Sequence, residues 1–136
     1  MAGETKNVAV RWLGGLRFEG GALDGPTIPV DGDSVQAPSP MHQLLIAIAT
    51  CSGADVVSIL QKMRVDLDSL SVRVAGLRRE EYPRRYVSIH LVWEILGNGV
   101  DETKARKAID LSLEKYCSVS TSLNPDIRIT YDVKLG

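Results

Sequence analysis

The chain reads as an α+β domain on three observations. Stretches alternating apolar and polar at period two lie at both ends, one long apolar helix lies between them, and strands come in runs rather than taking turns with helices. The predicted order is βββ-α-ββ-α-β with antiparallel pairing, in a single domain over residues 1–136. Residues 1–36 form a β-meander, 39–63 the central helix, and 69–136 a hairpin, a helix and a closing strand.

In the meander, residues 7–12 put Val8, Val10 and Trp12 on one face. Gly14 and Gly15 turn the chain and residues 16–19 alternate again, which predicts a hairpin. A third strand is expected around residues 27–30, between Asp24-Gly25-Pro26 and Asp31-Gly32-Asp33.

The central helix has a well-marked start. Ser39 is a good N-cap, and Pro40 suits the first helical position, where its missing N–H has no partner to lose. Residues 44–49 read LLIAIA, and the apolar pattern resumes after Thr50-Cys51-Ser52-Gly53. A rod of about 36 Å, apolar at every angle, must be covered on all sides, which one short chain can hardly do. Cys51 falls among small residues, with Asp55 one turn further on. Gly53 costs about 1 kcal/mol of helix propensity relative to Ala, which suggests close approach of something to that turn. A cysteine in such a place is either a small buried hydrophobe or a reactive thiol. A carboxylate one turn away would raise its pKa unless a cation neutralises it.

Beyond the helix, residues 69–76 and 86–96 alternate and pair as a long hairpin around a turn at 80–83, with His90 a strand residue facing solvent or a partner. Asp101 is a plausible N-cap for an amphipathic helix over residues 102–116, with Ala105, Ala108, Ile109, Leu111, Leu113 and Tyr116 apolar. Cys117 follows at its end, and residues 127–133 alternate in the closing strand.

Composition narrows the function. The net charge of −1, from 16 basic and 17 acidic residues well mixed, gives no field to hold nucleic acid or an anionic membrane. The N-terminus lacks an apolar segment of signal-peptide length, and the run 44–49 looks too short and too soon broken to span a bilayer, so a cytoplasmic location is expected. Two cysteines 66 positions apart are no structural framework, and in a reducing compartment such a pair is more often catalytic or redox-active. His42 and His90 lie far apart and no CxxC or HExxH occurs, so neither a metal nor another cofactor is expected.

The stretch SPMHQLLIAIATCSGADVVSILQKMR, followed by LSLEKYCSVSTSL and a closing alternating strand, resembles the OsmC/Ohr family of thiol-dependent hydroperoxide reductases. The resemblance implies an intertwined homodimer, its sheets wrapped around the long central helices. It also implies that Cys51 attacks an organic hydroperoxide, that Cys117 resolves the resulting sulfenic acid as a disulfide, and that an external dithiol resets the pair. Active members use an arginine from the N-terminal sheet, held by a glutamate at the start of the central helix. This sequence has Pro40-Met41-His42-Gln43 there, with no carboxylate. His42 is a candidate substitute, although as a cation it would repel an arginine. Arg17 is the better candidate for the arginine and Arg11 the other, while Glu114 is a candidate hydrogen-bonding group near Cys117. The departure motivates an alternative: a relative with weak or no peroxidase activity that binds a small apolar ligand in the dimer cleft.

Overall fold

The computed structural model describes residues 3–136 and divides into two compact units at residues 44 and 45, inside the long helix. In the N-terminal unit β1 (Val8–Gly14), β2 (Arg17–Ala22) and β3 (Thr27–Asp31) form an antiparallel sheet in that order. Gly14 and Gly15, with φ of 110° and 57°, make the β1–β2 turn in a region that side chains disfavour. Register places Trp12 opposite Phe18, and Gly20 opposite both Val10 and Ile28. Successive side chains point to opposite faces, so Val8, Val10, Trp12, Phe18 and Ile28 share one face, and all are exposed. On the other face Arg11 pairs with Glu19 directly across the ladder at 2.6 Å.

Asp31 is buried at the end of β3 and accepts N–H bonds from Asp33 (2.9 Å), Val35 (3.3 Å) and Gln36 (2.9 Å). Those donors, the Gln36 N–H foremost, hold its carboxyl below the usual carboxylate range, with Arg17 adding a smaller Coulombic contribution. One side chain thus organises the loop leading to the helix.

The helix, α1, spans Pro40–Lys62. Ser39 caps it as expected: its Oγ accepts from the His42 N–H at 3.2 Å and its carbonyl from the Gln43 N–H at 2.9 Å. It ends at Arg64, whose φ of 64° is left-handed. The Arg64 N–H reaches Gln61 O and the Val65 N–H reaches Leu60 O, each at 3.0 Å, the Schellman pattern with arginine where glycine is usual. Ile48, Ser52, Val56 and Leu60 are buried at every fourth position, with Gly53 beside them, and the rest of α1 is half-buried or exposed. Among the described residues, full burial on α1 is thus confined to one stripe. At 23 residues α1 is long and apolar enough to cross a membrane by length and composition, contrary to the expectation from its polar interruption. The core helix of a soluble protein meets the same criterion.

In the C-terminal unit β4 (Asp66–Arg78) and β5 (Tyr86–Asn98) form the long hairpin, and β6 (Arg128–Leu135) lies on the other side of β5. β4 starts three residues before the expected 69, because a register shift between Leu67 and Ser69 interrupts the alternation that would have marked it. The expectation of antiparallel pairing fails at β6, which runs parallel to β5. The helical segment between these strands is long enough to return the chain to the starting edge, as a parallel pair requires. Ile89, Leu91, Trp93 and Ile95 all point inward and are fully buried, each contributing about 1.5–3 kcal/mol of apolar burial. Among the described residues, the Trp93 indole N–H has no hydrogen-bond partner.

Asp101 caps α2 (Glu102–Leu111), its Oδ1 accepting from the Lys104 N–H at 2.8 Å. The expected helix over 102–116 does not run through. It gives way at residue 112 to a π-turn, Ser112–Tyr116, followed by a short helix α3, Ser118–Ser122. The extra residue per turn rotates the inward stripe of Ala105, Ala108, Ile109 and Ser112 onto Cys117, leaving Tyr116 exposed.

Candidate functional site

Cys51 is half-buried on α1, one residue before buried Ser52. Cys117 is only 2% exposed and sits where the π-turn ends, its N–H bonded to Ser112 O at 2.7 Å. Its Sγ accepts from the Ser120 N–H at 3.4 Å, capping α3. The two thiols are side-chain neighbours: burial pushes the Cys117 thiol above the ordinary cysteine range, hydrogen bonding from Ser120 opposes this, and Cys51 raises it further. Cys117 therefore holds its proton at neutral pH. A protonated, buried thiol next to a more accessible one is an arrangement that can interconvert between dithiol and disulfide.

The pair is held in a polar bracket that residue pattern alone did not reveal. Ser52 Oγ and Ser112 Oγ, both fully buried, lie 2.8 Å apart, and the Ser112 hydroxyl donates to Asp55 Oδ2 at 2.9 Å. Asp55 thus faces a hydroxyl donor rather than standing bare one turn from Cys51. The available signal was a serine at position 112 in line with the apolar stripe of α2.

Arg17 and His42 belong to the N-terminal unit and have partners there. Arg17 donates through Nη1 to Gln36 Oε1 at 3.2 Å, and its charge acts on Asp31. His42 Nδ1 receives the Ser39 backbone N–H at 3.4 Å and lies 2.8 and 3.2 Å from the hydroxyls of Ser39 and Ser34. All three contacts lie at the start of α1, where the ring braces the cap. Arg11 is taken up by Glu19, and Glu114 is exposed on the π-turn. His90 bonds Thr130 Oγ1 at 2.6 Å and Asp132 Oδ2 at 3.1 Å, tying β6 to β5 as a strand residue. Among the described residues no cluster of three or more His, Cys, Asp or Glu could hold a metal.

Two three-stranded sheets, a long intervening helix and adjoining thiols on that helix and a π-turn define an α+β protein with a paired-thiol site. The chain belongs to the OsmC-like protein family, whose model matches residues 31–132. It is 42% identical to Protein YhfA of Escherichia coli strain K12 over 127 residues, 93% of this chain and 95% of that protein. It resembles the crystal structure of a hypothetical protein from Aquifex aeolicus VF5 with a TM-score of 0.83 and 31% identity, over 98% of each chain. An organic hydroperoxide resistance protein OsmC from Legionella pneumophila superposes with a TM-score of 0.71 over 98% of this chain and 99% of that one. At 15% identity that likeness is one of fold.

Proposed function

We propose that the protein is a thiol-dependent organic hydroperoxide reductase, working in the cytoplasm as a homodimer through a Cys51/Cys117 disulfide cycle. The observation that carries this reading is that Ser112 ties together the segments of two cysteines 66 positions apart, bonding Ser52 beside half-buried Cys51 through its hydroxyl and buried Cys117 through its carbonyl. The Cys51 thiolate attacks the O–O bond, becomes a sulfenic acid and releases the alkoxide, which takes a proton to leave as the alcohol. Cys117 condenses with the sulfenic acid, forming the S–S bond and expelling water. An external dithiol returns both sulfurs to thiols by exchange, leaving as its own disulfide.

Thiolate formation at Cys51 needs positive charge, for which Arg17 is the proposed source. Asp31, opposite Arg17 across the β2–β3 ladder, is the proposed stand-in for the carboxylate that the helix start lacks. His42 is assigned to capping rather than to charge. The homodimer is supported by the uncovered flank of α1 and by the apolar face of β1 to β3, a contiguous exposed patch of the kind that marks an interface.

Reduced protein supplied with dithiothreitol is expected to consume cumene hydroperoxide catalytically, with Cys51→Ser losing at least about a hundredfold, since no other group replaces the nucleophile. Equal turnover by wild type and Cys51→Ser would refute the assignment. The alternative, a small apolar ligand bound in the dimer cleft with little turnover, is motivated by the missing helix-start carboxylate. It predicts rates below those of free dithiol and a melting temperature raised by such a ligand.

A further inference from the structure

Both cysteine-bearing segments are gripped by one buried residue, Ser112. Its hydroxyl has a single proton, and that proton goes to Asp55 Oδ2 at 2.9 Å, because a carboxylate only accepts. Ser52 must then be the donor in the 2.8 Å bond between the two serine hydroxyls. The chain of donation runs Ser52 to Ser112 to Asp55. Its two ends lie on α1 immediately after Cys51 and one turn beyond it. The main-chain carbonyl of the same Ser112 accepts the Cys117 N–H at 2.7 Å, the bond that closes the π-turn. The side chain therefore holds the Cys51 segment while the backbone holds Cys117.

We propose that Ser112, braced by Asp55 and Ser52, is a positioning residue that fixes the two cysteines at disulfide-forming distance and so commits a Cys51 sulfenic acid to condensation with Cys117. The role matters because the sulfenic acid has two fates. Condensation forms the S–S bond, breaks the S–O bond and releases the hydroxyl with the Cys117 proton as water. A second hydroperoxide instead carries Cys51 to sulfinic acid, which is not recovered by thiols. Which fate wins depends on how well the resolving thiol is held, since orientation sets the effective concentration of one group at another. Asp55 acts here as an acceptor for the Ser112 hydroxyl and not through its charge, so asparagine can replace it.

The peroxide fate rests on the reading above, but the positioning itself is measurable without peroxide. Equilibrating the intact protein with mixtures of reduced and oxidised dithiothreitol gives the stability of the Cys51–Cys117 disulfide. Ser112→Ala and Asp55→Ala are expected to lower that equilibrium constant about tenfold, the loss of one well-placed hydrogen bond. Asp55→Asn and Ser112→Thr, which keep an acceptor and a hydroxyl, should stay within about threefold of wild type. With excess cumene hydroperoxide, the two alanine variants should accumulate sulfinic Cys51 at the expense of disulfide. Should Ser112→Ala fail to fold, the contrast between Asp55→Ala and Asp55→Asn carries the test. Lowered melting temperatures with an unchanged equilibrium constant in both alanine variants would overturn the proposal. A wild-type protein that forms the disulfide with oxidised dithiothreitol but ignores cumene hydroperoxide would support the positioning and refute the peroxidase reading alone.

Discussion

In β5 the inward residues Ile89, Leu91, Trp93 and Ile95 alternate with outward ones, and all four are 0% exposed. In β1, Val8, Val10 and Trp12 alternate just as regularly and are 69%, 65% and 65% exposed. Alternation tells which face of a strand is apolar. Whether anything covers that face is a separate matter. β5 is the middle strand of its sheet, and its inward residues are as fully buried as the stripes of α1 and α2. The open face of the N-terminal sheet asks for cover of another kind, for which a second copy of the chain is our proposal.

The sharpest way to break this comparison is to truncate one tryptophan on each face. Trp93→Ala is expected to cost about 3–5 kcal/mol at any protein concentration, because it empties a fully buried site. Trp12→Ala in dilute protein should change stability by no more than about 0.5 kcal/mol, as an exposed residue does. Its cost should then grow as concentration rises into the dimeric range, since dimerisation stabilises the folded chain by mass action. Urea unfolding over a concentration series checks both. A concentration-independent loss of several kcal/mol for Trp12→Ala would end the comparison.

A smaller effect concerns pH. The Cys117 thiol titrates above its ordinary value of about 9, so the native chain holds that proton longer than the unfolded one. The resulting stability is complete below the ordinary value and is lost as pH rises through the native one. Thermal melting followed from neutral to alkaline pH should therefore fall more steeply for wild type than for Cys117→Ala. Tyr86 and Tyr131, both raised chiefly by burial, titrate in both proteins and drop out of the difference. Parallel curves would contradict the raised thiol.

Much of the fold was legible because its signals are local. Ser39 with Pro40 and Asp101 announce helix starts through their own chemistry, and the strands of the meander and the long hairpin follow from period-two apolarity. The rest depends on distant partners. Nothing in residues 127–133 distinguishes a strand that pairs parallel from one that pairs antiparallel, since alternation is the same in both. The π-turn is one extra residue in an otherwise helical pattern, visible only when Tyr116 proves exposed and Cys117 buried. Both cysteines stood out from the sequence as candidates. The Ser52–Ser112–Asp55 bracket did not, because Ser112 lies 60 and 57 positions from Ser52 and Asp55 and serine within an apolar stripe has no fixed meaning.

The central claim is that Cys51 and Cys117 form a peroxide-driven redox couple. Intact mass measurement of reduced protein after one equivalent of cumene hydroperoxide tests it most directly. The account predicts the loss of two hydrogens per chain, with peptide mapping placing the new bond between Cys51 and Cys117. An unchanged mass, or added oxygen on Cys51 with no disulfide, would contradict it.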